Sequence, residues 1–287
     1  MADQKQPKVI LFDIGGVCVV SPFQAILDYE LSLGIPPGWV NYSISKSAPN
    51  GYWHRLERGN IPMDAAFFAG FNRDLRDPAR WRAFYEAARA RSQGTAAELP
   101  ERVPPVPEVD GEFMFNEMMA ASDRPDPWMF PALNALRASG RYVLAALSNT
   151  VIFPPGHKLH SENYFAHPVR GLFDVFISSA HVGLRKPDPA VYQMALREVD
   201  RYARAYAATP RGAANGWGEG VAAGDVLFLD DIGENLKAAK QQGFQTIKVN
   251  LGRAYEAVDA LESITGLRLA GDHPRPPRPS EQPKARI

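Results

Sequence analysis

The chain has 287 residues, of which 45% are hydrophobic and 22% are charged, enough to bury a full core as one large domain with an insertion or as two domains. Lysine plus arginine and aspartate plus glutamate both number 32, so the chain lacks the basic excess that nucleic acid or an anionic membrane surface selects. We therefore expect a small molecule or another protein as partner, with no nucleic acid and no membrane.

The cellular location is predicted from cysteine content and from the two ends of the chain. Cys18 is the single cysteine, so no internal disulfide can form. The polar start MADQKQPK lacks the apolar core of a signal peptide, and no stretch approaches the ~20 apolar residues of a membrane-spanning helix. We expect a cytoplasmic protein. The terminal Ala-Arg-Ile bears only a faint likeness to the peroxisomal signal SKL.

Five short apolar runs predict the strands of a sheet. The first, residues 9–12, is wholly apolar and precedes Asp13 and two glycines, which is typical of a strand buried on both faces that ends in a tight turn. The other runs are residues 142–147, 175–177, 226–229 and 246–249. Helical patterns alternate with them, which predicts an α/β fold with a Rossmann-like parallel sheet core, formed by residues 1–21 and 128–270.

The long segment between the first two strands breaks this alternation. Apolar residues recur in it at helical spacing, for example Trp81, Phe84 and Tyr85 after a start signal at Asp77. We expect an inserted all-helical cap over residues 22–127, with a proline-rich irregular loop at residues 99–107. The last residues, 271–287, are polar and rich in proline, and we expect a disordered tail there.

Polar side chains follow four of the predicted strands. They are Asp13, Ser148, Asn149, Lys186, Asp230 and Asp231. Ligands bind at the carboxyl edge of an open parallel sheet, so we expect these groups to converge there. Together they offer a carboxylate nucleophile, a hydroxyl, an amide and a cation for phosphate oxygens, and further carboxylates for a hard metal ion.

Four motifs, in this order, resemble those of the haloacid dehalogenase superfamily. VILFDIGGVCV resembles the first motif, LAALSNT the second, GLRKPDPAVY the third and VLFLDDIGENLKAAKQQGF the fourth. The match covers residues 8–20 and about 129–255, and the helical segment falls where this family places a cap. The first and fourth motifs are most similar to the branch that contains the phosphatase domain of soluble epoxide hydrolases.

This resemblance implies the haloacid dehalogenase fold and a magnesium-dependent phosphohydrolase that acts on a small organic phosphate through an aspartyl phosphate. The nucleophile would be Asp13. The resemblance assigns Mg²⁺ to Asp13, the backbone carbonyl of Gly15 and Asp231, with Asp230 and Asn235 behind these ligands. It assigns the phosphoryl oxygens to Ser148, Asn149 and Lys186.

Gly15 departs from the family pattern. Most phosphatases of the family have a second aspartate there, which protonates the leaving oxygen and later activates water, and general acid–base catalysis contributes about 10²–10⁴-fold. Three alternatives stay open. The substrate has a stable leaving group, such as a diphosphate or an anomeric sugar phosphate; a cap residue or a metal-bound water replaces the acid; or the protein is a catalytically degenerate phosphate-binding or regulatory module.

Asp230, Asp231 and Glu234 also spell DDxxE, which resembles the metal–diphosphate motif of terpene synthases. Ordinary terpene synthases are all-helical and carry that motif on a helix, whereas here it follows a strand. We therefore interpret DDIGEN as the fourth phosphatase motif. A prenyl diphosphate would suit both the aromatic cap and the missing acid, so a phosphatase or cyclase-type enzyme for such a substrate remains an alternative. A dehalogenase is a weaker one, since the hydroxyl, amide and lysine suit phosphate.

Overall fold

The computed structural model describes residues 5–94 and 98–275. Five parallel strands form one sheet in the order β3-β2-β1-β4-β5. They are β1 (Val9–Phe12), β2 (Val143–Ser148), β3 (Val175–Ser178), β4 (Val226–Asp230) and β5 (Gln245–Lys248). All residues of β1, β2 and β4 are buried, as expected for parallel strands that carry helices on both faces. Each predicted strand is therefore present, within one or two residues of its expected bounds.

Twelve α-helices accompany the sheet in the described ranges. Those before the second strand are α1 (Phe23–Ser32), α2 (Trp39–Lys46), α3 (Tyr52–Glu57), α4 (Ala65–Leu75), α5 (Pro78–Ser92) and α6 (Gly111–Ala121). The remaining ones are α7 (Met129–Ser139), α8 (Ser179–Val182), α9 (Pro189–Ala205), α10 (Pro210–Ala214), α11 (Gly233–Gln241) and α12 (Tyr255–Thr265).

The sheet separates two apolar layers, because alternate side chains of a strand point to opposite faces. Ile10 and Phe12 face the layer that contains α7 and α12, whereas Val9 and Leu11 face the layer that contains α9 and α11. Asp188 caps the start of α9, where its side chain accepts a hydrogen bond from the Ala190 N–H. The central strands are thus fixed from both sides, and their carboxyl ends are held at one edge.

Helices α1 to α6 form an insertion between β1 and α7, with an apolar core of their own. Its aromatic side chains pack in contact, and the ring centroids of Trp39 and Trp81 are 5.1 Å apart. Asp64 and Asp77 cap α4 and α5 through the Phe67 and Arg80 N–H groups. Residues 98–110 form neither helix nor strand, in keeping with the predicted loop. That this insertion acts as a cap stays a prediction.

Residues 271–275 contact the sheet domain, which consists of the five strands and helices α7 to α12. His273 packs against Trp128 with 4.9 Å between ring centroids, and Arg275 forms an ion pair with Asp259 at 2.8 Å. Residues 276–287 of the predicted tail lie outside the described residues. Within the described part of the chain, no helix combines the length and the apolar character needed to cross a membrane.

Candidate active site

Three buried carboxylates meet at the carboxyl edge of the sheet. Asp13 directly follows β1, and Asp230 and Asp231 end β4 and begin the turn after it. Strands β1 and β4 are paired in register, and the Asp13 N–H donates a hydrogen bond to the Leu229 carbonyl at 2.9 Å. One carboxylate oxygen from each of the three aspartates lies within 4.8 Å of the others. The strand pairing therefore creates the cluster that the sequence pattern predicts.

Lys186 supplies the one cation that contacts this cluster in the described residues. Its Nζ lies 2.8 Å from Asp13 Oδ2 and 2.7 Å from Asp230 Oδ2, and the side chain is 1% exposed. Burial lowers the pKa of Lys186, but the carboxylates of Asp13 and Asp230 outweigh burial and raise it. Three ionised carboxylates and one ammonium leave a formal charge of −2 in a buried site. Such a charge is costly without a further cation.

The pKa values of two of these aspartates are raised, first by burial and then by the neighbouring carboxylates. Burial raises the pKa of Asp13 to about 7, with Lys186 opposing the increase and Asp230 adding to it. Burial and the neighbouring Asp230 raise the pKa of Asp231 to about 6. All the donor atoms are oxygens, which is the ligand type that Mg²⁺ prefers. The cluster therefore fits a magnesium ion in charge and in chemistry.

Asp230 is held by three groups at once. Its oxygens accept hydrogen bonds from both the Asn235 Nδ2 and the Ile232 N–H, at 3.1 Å and 2.7 Å, in addition to the contact with Lys186. The Asn235 carbonyl in turn accepts a hydrogen bond from the Tyr192 hydroxyl at 3.0 Å. With its oxygens occupied in this way, Asp230 is suited to orienting the site rather than to binding a ligand directly.

The two glycines after Asp13 differ in what the fold requires of them. Gly16 has a φ of +75°, and a Cβ there would lie 2.7 Å from Asp231 Oδ2, so a side chain would both strain the backbone and displace the carboxylate. Gly15 has no atom within 4 Å of the position that a Cβ would take. The turn therefore needs glycine at position 16 and leaves room for a side chain at position 15.

Asn149 clamps the backbone of Lys186. Its Oδ1 accepts a hydrogen bond from the Lys186 N–H at 2.9 Å, and its Nδ2 donates one to the Lys186 carbonyl at 3.1 Å. Ser148, at the end of β2, is 3% exposed. The predicted roles of Ser148, Asn149 and Lys186 in phosphate binding stay predictions, to which the structure adds that Asn149 positions the lysine.

Two groups of polar residues at this edge escaped the sequence analysis. Thr150, just after β2, and Ser178, the last residue of β3, are joined by a hydroxyl–hydroxyl contact of 2.5 Å, and Ser178 also contacts His181 Nδ1 at 2.7 Å. Glu57 of α3 binds Arg185, the neighbour of Lys186. Arg185 belongs to the third motif and could have been considered from it. Glu57 lies in a helical pattern, and no motif distinguishes it from other residues of the insertion. Glu234 of the DDxxE pattern is exposed on α11 and lies outside the carboxylate cluster of the described residues.

The chain is similar to several known proteins. No family model matches the chain. Acyl-CoA dehydrogenase family member 10 of Mus musculus is 26% identical over 273 residues, which are 94% of this chain and 20% of that protein. Bifunctional epoxide hydrolase 2 of Rattus norvegicus is 25% identical over 264 residues, which are 91% of this chain and 39% of that protein. The chain thus spans less than half the length of these curated relatives.

Solved structures give matches of the same kind. A predicted HAD-like family hydrolase from Porphyromonas gingivalis has 19% identity and a TM-score of 0.47 over 90% of this chain and 98% of its own. A HAD family enzyme from Bacteroides thetaiotaomicron, in complex with magnesium and inorganic phosphate, has 18% identity and a TM-score of 0.45 over 88% of this chain and 98% of its own.

The resemblance indicated by the four motifs is confirmed, since the similarity to the epoxide hydrolase relatives runs over 91% of the chain. The chain is similar to haloacid dehalogenase-like hydrolases. Its fold class is also as predicted, because the sheet is parallel, has five strands in the order β3-β2-β1-β4-β5 and is surrounded by helices. The relatives named bifunctional epoxide hydrolase 2 are hydrolases by that name.

The central position of Lys186 leads to a prediction about stability. Replacing Lys186 by Met is expected to lower the free energy of unfolding by about 3–5 kcal/mol, because Asp13 and Asp230 lose their buried counter-charge. Added Mg²⁺ should recover part of this loss by supplying positive charge. Urea unfolding with and without Mg²⁺ measures both effects. Lys240→Met, at an exposed position of α11, is the control and should change stability by less than about 0.5 kcal/mol. A loss of under about 1 kcal/mol for Lys186→Met would contradict the expectation.

Proposed function

We propose that the chain is a magnesium-dependent phosphohydrolase that acts on a small organic phosphate, with Asp13 as the nucleophile. The observation that carries the proposal is the buried cluster of Asp13, Asp230 and Asp231, two of which contact one lysine, at the edge where parallel sheets bind ligands. A site with this charge suits a metal ion together with an anionic substrate.

Asp13, Asp231 and the Gly15 carbonyl are the groups that would hold Mg²⁺. Asp231 has little of its side chain committed elsewhere, whereas Asp230 is occupied by Lys186, Asn235 and a backbone N–H. Within the described residues the Gly15 carbonyl accepts no hydrogen bond, so it is free to act as a ligand. When bound, the metal offsets the repulsion between an anionic carboxylate and an anionic phosphate.

The reaction assigned to the site has two steps. An oxygen of Asp13 attacks phosphorus, the bond from phosphorus to the leaving oxygen breaks, and an aspartyl phosphate forms while the leaving oxygen takes up a proton. Water then attacks phosphorus and loses a proton, which releases inorganic phosphate and regenerates Asp13. Ser148 and Lys186 would hold the phosphoryl oxygens, and Asn149 would keep Lys186 in place. Position 15 supplies no proton.

A prenyl diphosphate is a second candidate substrate, favoured by the apolar rim of the site. Ile232 directly follows Asp231 and is 38% exposed. Leu251 follows β5, is 43% exposed, and reaches within 3.0 Å of the Cβ position of Gly16, next to Asp231. Aliphatic side chains beside a phosphate site would contact an apolar leaving group. Attack at the terminal phosphorus would expel a prenyl phosphate, which is stable without protonation, and this fits glycine at position 15.

A substrate panel tests both candidates. Purified protein is assayed for phosphate or diphosphate release from phosphomonoesters, sugar phosphates and prenyl diphosphates, with Mg²⁺ or with a chelator. We expect magnesium-dependent release from at least one class, and for a prenyl diphosphate the organic product identifies a phosphatase or a cyclase. Background release from every substrate, combined with intact Mg²⁺ binding, would instead support the phosphate-binding or regulatory alternative.

The metal assignment leads to a separate prediction. Mg²⁺ at 100 times its dissociation constant is expected to stabilise the protein by about 2.7 kcal/mol, and Asp231→Asn should remove most of this effect. Glu234→Gln is the matched control, since Glu234 belongs to the DDxxE pattern but lies outside the cluster. Thermal unfolding with and without Mg²⁺ measures the difference. Loss of the Mg²⁺ effect in Glu234→Gln would favour the diphosphate-motif interpretation instead.

A further inference from the structure

One buried ion pair joins the helical insertion to the segment that carries Lys186. Glu57 is the last residue of α3 and is 6% exposed. Its Oε2 accepts a hydrogen bond from Arg185 Nε at 2.8 Å, and Arg185 Nη2 lies 2.8 Å from the same oxygen as an ion pair. The two residues are 128 positions apart in sequence, so the pair exists only because α3 is docked on the sheet domain.

The burial of this pair sets it apart from the other ion pairs of the insertion. Burial raises the pKa of Glu57, and Arg185 opposes that increase. A buried ion pair gives little net stability compared with an apolar contact, because both charges lose their hydration. The pair does fix the relative orientation of the two side chains, because two nitrogens of a planar guanidinium contact one carboxylate oxygen. The pair is therefore better suited to fixing a position than to strengthening the fold.

Arg185 and Lys186 are adjacent, and together they are held from three sides. The Arg185 side chain is held by Glu57 of the insertion. The Lys186 backbone is held by the Asn149 side chain, and the Lys186 ammonium contacts Asp13 and Asp230. A displacement of α3 would therefore pull on the same short segment that places the lysine beside the nucleophile.

A second contact brings the insertion and the sheet domain together at the same point. A Cβ at Gly59, in the turn after α3, would lie 2.1 Å from the Ala180 carbonyl oxygen of α8, so the two backbones are packed without room for a side chain. His54 lies three residues before Glu57 on α3 and is 4% exposed. Burial lowers the pKa of His54 to about 4, and the positive charges of Arg185 and Arg58 lower it further in the same direction. His54 is therefore neutral near pH 7 and adds no positive charge beside the Glu57–Arg185 pair.

We propose that Glu57 is a positioning residue for the phosphate site, and that it acts through Arg185 to seat α3 on the sheet domain and to hold Lys186 at Asp13. This inference rests on the proposed function, since it assigns a role in a reaction that Asp13 and Lys186 carry out. In this role the insertion completes the phosphate site from outside the sheet.

Glu57→Gln tests this role because it removes the charge and keeps the shape. On a substrate that the wild-type protein turns over, kcat should fall at least tenfold, with KM changed by less than about threefold. Arg185→Gln should have the same effect, and the double variant should be no worse than either single one, because both remove one interaction. Glu108→Gln breaks the exposed pair with Arg76 of the same insertion and serves as the control, with kcat unchanged.

Hydrogen exchange supplies a readout that does not depend on activity. Amides of α3 and of residues 184–187 should exchange at least tenfold faster in Glu57→Gln than in the wild type, and at the wild-type rate in Glu108→Gln. If Glu57→Gln fails to fold, Arg185→Lys keeps the charge, loses the planar two-nitrogen contact, and tests the same pair. A kcat within twofold of wild type with unchanged exchange, or additive effects of the two single variants, would overturn the proposal. If the wild type is inactive on every substrate while Glu57→Gln still exchanges faster, the proposed function is refuted. The role of the Glu57–Arg185 pair in docking α3 on the sheet domain is then still supported.

Discussion

Replacing Asp13 by Asn is expected to lower the rate of phosphate release at least about 10³-fold, because a neutral amide is a poor nucleophile and cannot form the aspartyl phosphate. The substitution keeps the volume of the side chain. It also removes one of three clustered carboxylates, so repulsion in the site decreases. We therefore expect the variant to unfold at the same or a higher urea concentration than the wild type in the absence of Mg²⁺. Lys186 keeps its contact with Asp230 at 2.7 Å.

Release of phosphate measured in single-turnover and steady-state assays, beside urea unfolding, separates loss of chemistry from loss of fold. Asp64→Asn is the matched control, because Asp64 caps α4 through the Phe67 N–H and asparagine caps helices equally well. It should keep both activity and stability. If Asp13→Asn retains more than a tenth of the wild-type rate on the preferred substrate, another group is the nucleophile.

The sheet and its carboxylates were predictable from sequence because they depend on local patterns. A wholly apolar run such as Val9–Phe12 indicates a strand buried on both faces, and strand pairing then decides where its end lies. Since β1 and β4 pair in register, the aspartates after them are brought together without any contribution from loops. Asp13, Asp230 and Asp231 could therefore be expected at one site from their positions alone.

The interactions that adjust the site were not predictable, because they depend on how separate parts dock. Asn149 was expected to bind phosphate, but its contact with the Lys186 backbone depends on the path of the loop between α8 and α9. The Glu57–Arg185 pair requires the orientation of α3 on the sheet domain, which periodicity within α3 does not determine. The aromatic pattern of the insertion predicted helices and a core. It did not indicate which residue of the insertion contacts Arg185, the neighbour of Lys186.

The structure also separates two glycines that the sequence presents as one turn. Gly16 is required by its φ of +75° and by the closeness of Asp231, whereas nothing lies within 4 Å of a Cβ at Gly15. The missing acid is therefore a property of this chain that the backbone does not impose. The Cβ of an aspartate at position 15 would meet no atom within 4 Å, and the backbone carbonyl of residue 15 would remain available as before.

Replacing Gly15 by Asp is accordingly expected to raise the rate on phosphomonoesters with alkoxide leaving groups by about 10²-fold or more, within the 10²–10⁴-fold range of general acid–base catalysis. The gain arises because the new carboxyl can protonate the leaving oxygen and then activate water. p-Nitrophenyl phosphate has a leaving group that needs little protonation. The rate at which the aspartyl phosphate forms from this substrate should therefore change much less. A prenyl diphosphate should behave in the same way, since attack at its terminal phosphorus expels a prenyl phosphate, which leaves as a stable anion.

Gly15→Asn is the matched control for this experiment. Its side chain has the size of aspartate and no proton to donate at neutral pH, so it should leave the rates on all three kinds of substrate near those of the wild type. Comparing kcat/KM for the two variants on an alkyl phosphate, p-nitrophenyl phosphate and a prenyl diphosphate separates acid catalysis from a change in the shape of the turn. Equal rates for Gly15→Asp and Gly15→Asn on the alkyl phosphate would mean that another group already transfers the proton. Residues of the insertion would then be the next candidates for that group.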